Sequence, residues 1–105
     1  MDSVVGPPGD IRWAPDGSRT AVLSGELDVD VVDRVDALGR TFTGVERVDA
    51  SAVTFIDSTG LNFLIRIARE AAAAGRPPVV LMRPAPRVRE MLALTGTAAL
   101  FTFEG

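Results

Sequence analysis

Apolar positions along this chain change their period several times, and each change marks an element. Ile11-Arg12-Trp13 and Thr20-Ala21-Val22-Leu23 are short runs of strand type on either side of Pro15-Asp16-Gly17-Ser18, residues suited to a chain reversal. They predict an antiparallel hairpin. Gly25 and the acids Glu26 and Asp28 follow, and then the spacing becomes helical. Val31, Val35, Leu38 and Phe42 fall at i, i+4, i+7 and i+11, with Val32 beside them and Asp30, Asp33, Arg34 and Asp36 on the remaining faces. Gly39 weakens this helix and Gly44 is expected to end it. Val45 to Asp49 then reads as a short strand.

The strongest helical pattern runs from Thr59 to Ala74. Leu61, Leu64, Ile65, Ala68, Ala71 and Ala72 cover one broad side, and Asn62, Arg66, Arg69, Glu70 and Ala73 the opposite strip. Phe63 and Ile67 lie at the boundary, so the apolar arc is wider than one packing face requires. Either a neighbouring helix covers them or they help form a partner surface; burial is the commoner fate of such residues. Gly75 caps this helix, and Val79-Val80-Leu81-Met82 reads as a buried strand. Pro84 and Pro86 introduce a helix with Val88, Met91, Leu92 and Thr95 on one side, stopped by Gly96. Leu100 to Phe103 is a last strand or a closing helical turn.

Helices alternating with strands imply parallel strands joined by right-handed crossovers. The expected fold is a single α/β domain. Its sheet is mixed, mostly parallel and four- to five-stranded, with three to four helices and an N-terminal antiparallel hairpin. Residues 1–10, with Gly6-Pro7-Pro8-Gly9, read as a flexible lead-in, and residues 11–105 as the domain. Loops after Leu23 and Phe55 would gather at the carboxyl edge of the strands, where functional sites concentrate, so Asp28 and Ser58 are expected to be neighbours there.

That edge carries the candidate chemistry. The apolar Phe55-Ile56 gives way to Asp57-Ser58-Thr59-Gly60 where the helical spacing starts. Ser58 is thereby placed at or near the helix N-cap, its hydroxyl able to accept from free backbone N–H groups. A helix start favours negative charge, so a phosphoserine would be well placed there. By default such a stretch is a cap alone, Asp28 is a favourable charge on a helix dipole, Asp49 ends a strand and Trp13 is a packing residue.

Composition narrows the chemistry. The chain has 105 residues, is 47% hydrophobic and carries a net charge of −3, which suits one packed domain and disfavours a nucleic-acid partner. Cysteine and histidine are absent, and all eleven cations are arginine. Disulfides, the usual zinc sites, the usual general base and every lysine-based nucleophile are excluded. No cofactor and no metal is expected, and an Asp-Ser pair lacking a base argues against a hydrolase. No apolar stretch approaches the roughly 18 residues of a membrane span, and the N-terminus lacks the basic region and apolar core of a signal peptide. A cytoplasmic protein without membrane insertion is expected.

Two blocks, Leu23-Ser24-Gly25-Glu26-Leu27-Asp28 and Val48-Asp49 through Val53-Thr54-Phe55-Ile56-Asp57-Ser58-Thr59-Gly60-Leu61, resemble the STAS domains of bacterial anti-sigma factor antagonists. Gly75 before Val79-Val80-Leu81, Pro86-Arg87-Val88-Arg89-Glu90-Met91-Leu92 and Leu94-Thr95-Gly96 extend the likeness over roughly residues 11–103. The resemblance implies a non-enzymatic, partner-switching regulator of transcription. Unphosphorylated, it would bind an anti-sigma factor with serine kinase activity and so release a sigma factor. Phosphorylation of Ser58 would dissociate the pair, and a serine phosphatase would reset it. The implied contact surface comprises Asp28, Asp57, Ser58, Thr59 and Gly60, continued along the helix by Asn62, Phe63 and Arg66. Thr59 is the alternative acceptor. Gly60 would let a kinase or partner backbone approach closely. The alternative implied role is a cytoplasmic STAS subunit of a membrane transporter, without a phosphorylation cycle. A nucleotide sensor ranks last, since no glycine-rich phosphate loop is present. The segment from Asp28 to Asp49 is short for the family by about one helical turn, which predicts a truncated first helix or a reduced strand at Val45.

Overall fold

The computed structural model describes residues 9–104. Most of the lead-in expected over residues 1–10 therefore lies outside the described residues, and Asp10 already belongs to the first strand. β1 (Asp10–Trp13) and β2 (Thr20–Leu27) form the hairpin, with Ile11 opposite Leu23 and Trp13 opposite Ala21. β2 runs four residues past the expected end at Leu23. Its burial still alternates, with Val22, Ser24 and Glu26 on one face and Ala21, Leu23 and Leu27 on the other.

α1 (Val29–Ala37) has nine residues and buries Val31, Val32 and Val35. Each buried valine contributes about 1.5–3 kcal/mol. It stops earlier than the i+11 spacing predicts. Gly39, at φ +70, takes the left-handed position that lets its N–H reach Asp36 O and the Arg40 N–H reach Val35 O. Gly75 and Gly96 close the other two helices in the same way. Leu38 is exposed, and Phe42 is buried from an irregular segment rather than from the helix. Trp13 stacks on Phe42 at 5.3 Å and donates through Nε1 to Thr41 O, and Arg19 lies 4.5 Å over the Trp13 ring.

The short strand expected over Val45–Asp49 is instead β3 (Arg47–Ile56), ten residues long. Its buried positions Val48, Ala50, Val53 and Ile56 advance by two and then twice by three, because the register against β2 shifts between Val22 and Ser24 and again between Gly25 and Glu26. At the first shift the Asp49 carboxylate accepts from the Ser51 N–H and Oγ–H at 3.0 and 2.7 Å. Asp49 therefore stabilises a bulge within a strand rather than ending one.

α2 (Ser58–Ala73) follows, then β4 (Val79–Met82), α3 (Pro86–Leu94), a 3-10 turn (Ala98–Leu100) and β5 (Phe101–Glu104). Both readings of the C-terminal segment thus occur in succession. The sheet order is β1-β2-β3-β4-β5, antiparallel between β1 and β2 and parallel elsewhere. Strands laid down in sequence order step the same way at every crossover, and right-handed connections then put all three helices on one face. α1 packs on α2 and α2 on α3. Between helices and sheet lie Ile11, Leu23, Leu27, Ile56, Leu64, Leu81 and Leu92, all fully buried. Phe63 and Ile67 are 5% and 4% exposed, and Phe42 meets Phe63 edge-on at 5.7 Å. The broad apolar arc of α2 is thus filled from within the molecule. No helix among the described residues is long and apolar enough to cross a membrane.

Candidate functional site

Two crossovers begin side by side at the carboxyl edge of the sheet. Leu27 and Ile56 are register partners at the ends of β2 and β3, and the Asp57 N–H donates to Leu27 O at 3.2 Å. Each strand ends in an apolar residue followed by aspartate, and each aspartate caps the helix that follows. Asp28 Oδ1 accepts from the Val31 N–H at 3.1 Å. Asp57 Oδ1 accepts from the Thr59 and Gly60 N–H groups at 2.9 and 3.1 Å.

The N-cap of α2 is therefore Asp57, not Ser58. Asp57 has extended backbone angles (φ −105, ψ −173), whereas Ser58 is already the first helical residue and is exposed. Aspartate and serine cap comparably well, so when they are adjacent only the phase of the helix decides between them. The repeated strand-end pattern, Leu27-Asp28 and Ile56-Asp57, was the signal in the sequence that favoured aspartate.

Gly60 departs from its expected role as well. A Cβ there would stand 2.5 Å from Leu27 O and 2.9 Å from Leu27 Cβ, so the room its missing side chain leaves is filled by β2. The glycine seats the first turn of α2 on the strand and is itself buried. Thr59 is half-buried and lines, with Val32, Asn62, Phe63 and Arg66, a shallow groove of about 230 Å³ between α1 and α2. Asn62 and Arg66 are exposed on the outer strip of α2, and the Arg66 guanidinium lies 5.3 Å over the Phe63 ring. Of the residues singled out in the sequence, Asp28, Asp57 and Ser58 meet at the edge, and Asn62 and Arg66 continue along the helix. Gly60 and Phe63 support that surface from beneath.

Sequence reasoning passed over Val29 and Phe55. Both are large apolar residues left exposed at this edge. For Phe55 the sequence held no usable signal, since alternation from Val53 would turn it inward and only the register shift leaves it outside.

A family model described as "Mlab, STAS domain" matches residues 14–102, and the chain belongs to the STAS family. Among solved structures it is similar to the anti-sigma factor antagonist SpoIIAA in its unphosphorylated form. The two share 25% sequence identity over 90% of this chain and 88% of that one, with a TM-score of 0.61. No curated protein matches the chain.

Proposed function

We propose that this protein is an anti-sigma factor antagonist that works by partner switching. In its unphosphorylated form it binds an anti-sigma factor that is also a serine kinase. Phosphorylation of Ser58 releases it, and a serine phosphatase restores it. The observation that carries this reading is a division of labour: Asp57 holds the helix start, and the Ser58 hydroxyl stands exposed beside it. A serine engaged in capping would have to give up that bond to react. Thr59, half-buried in the groove, is the poorer acceptor. The setting for this cycle is the bacterial cytoplasm.

In the transfer step, Ser58 Oγ bonds to the γ-phosphorus of ATP held by the kinase and the bond to the β-phosphate oxygen breaks. ADP leaves, and the hydroxyl proton passes to a base on the kinase. The added charge is about −1.5 to −2 at neutral pH. At the exposed start of α2 this charge is favourable by about 0.3–1 kcal/mol, so the fold tolerates it. A docked partner is treated differently, since it must desolvate a phosphate beside the Asp57 carboxylate. A penalty of about 3 kcal/mol there weakens binding more than a hundredfold.

The test is intact-mass spectrometry after incubation with ATP, Mg²⁺ and each candidate anti-sigma kinase of the same genome, with Ser58→Ala as control. One added phosphate that disappears in the variant is the expected result. An unmodified chain with every candidate would overturn the proposal and favour the transporter-subunit reading, which asks nothing of the Ser58 hydroxyl.

A further inference from the structure

Four large apolar side chains stand exposed among the described residues, and two of them lie at the carboxyl edge of the sheet, where α2 begins with Ser58. Val29, 48% exposed, opens α1 directly after Asp28. Phe55, 42% exposed, comes three positions before Ser58, where the second bulge of β3 turns Val53 and Ile56 inward and leaves Phe55 outside beside Glu26. The other two, Leu38 and Leu94, sit at the C-terminal ends of α1 and α3, and so at the opposite edge of the sheet. A single exposed apolar residue needs no explanation. Here two stand at the edge that also carries the exposed Ser58. Moreover, the charged residues from Glu26 to Asp33 and from Val53 to Leu61 are all acids.

We propose that Val29 and Phe55 are the apolar anchors by which the kinase holds this protein. Its docking surface presents an apolar pocket to each, and arginine or lysine side chains at the rim to Glu26, Asp28 and Asp30. This inference rests on the partner-switching reading above. The cations steer the approach and the anchors fix the seat, in keeping with the way charge governs association rate and buried apolar groups govern residence. The space over Ser58, at the same edge, faces the nucleotide. Once the phosphate has been transferred, it faces the phosphates of ADP across a closed contact, with the rim cations already committed to the acids. The switch thus turns on like charge and desolvation at the centre, although the rim is attractive.

The experiment compares wild type, Val29→Thr, Phe55→Ser, the double variant and a Leu94→Ser control. It uses a kinase that phosphorylates the wild type on Ser58. Equilibrium binding and phosphorylation kinetics are read together, and thermal melts verify that each variant is folded. Each single variant should weaken binding about tenfold and raise KM with kcat within about twofold, and the double variant should lose about a hundredfold. Leu94→Ser, at a position 77% exposed at the far edge, should bind as wild type does. Asp30→Asn should slow association and reduce its salt dependence. Binding of both Val29→Thr and Phe55→Ser within twofold of wild type would overturn the anchors and leave partner switching standing. A wild type that no kinase binds or phosphorylates would overturn both.

Discussion

Asp57 and Gly60 do adjacent jobs at the start of α2, and their substitution should fail in different ways. Asp57→Ala removes the acceptor for two backbone N–H groups, a loss of about 0.5–2 kcal/mol in urea unfolding. Asp57→Asn retains an acceptor oxygen and should recover most of that. Gly60→Ala instead drives a methyl group into Leu27 O, and about 1–3 kcal/mol of destabilisation is expected as α2 lifts from β2. Far from this edge, the Ser18 hydroxyl and N–H hold the Asp16 carboxyl below its ordinary value of 3.8. A carboxyl lowered by folding stabilises the hairpin turn above its ordinary value and loses that contribution as pH falls through the lowered one. An NMR titration should place the Asp16 midpoint below 3.8, and a midpoint at or above it would show that the turn does not hold the charge.

Among the elements, the irregular stretch between α1 and β3 is held by an aromatic contact rather than by secondary structure. Phe42 joins Trp13 to Phe63, and so ties the hairpin to α2. Phe42→Ala should cost about 3–5 kcal/mol and shift the emission of Trp13, the single tryptophan, towards that of a wetter environment. An unchanged spectrum would mean that the hairpin keeps its place without the bridge. The same stretch shows where sequence pattern loses its grip. Val31 and Val35 were legible as a helix face, but Phe42 continues their spacing by coincidence, from a chain that has already turned at Gly39. β3 defeats a period-two template for a related reason. Two register shifts make its buried positions advance by three, and alternation cannot be read through a bulge.

At the scale of the whole molecule, the succession of elements was legible because each helix carries its own apolar face and each is closed by a glycine. The juxtaposition of Asp28 with the Ser58 loop followed from parallel topology alone. What could not be read was which of two adjacent polar residues caps α2, or that Gly60 is filled from within, since both depend on the phase and depth at which the helix seats. The proposed switch also predicts how the protein phosphorylated on Ser58 should behave. With the cap on Asp57 and Ser58 in solvent, its melting temperature should stay within a few degrees of the unmodified form while kinase binding falls more than a hundredfold. A large drop in melting temperature would instead mean that modification works by unfolding the helix start.

Because Asp57 carries the helix, position 58 is left almost without structural duty. Its tolerance should therefore depend entirely on what is selected. A mutational library sorted by protein abundance would show a plateau across position 58, with sharp losses at Asp57 and Gly60 on either side. The same library sorted by kinase binding would show acidic residues at 58 excluded, with small ones retained. The edge thus joins a rigid frame to a single replaceable position, which can change without rebuilding the domain.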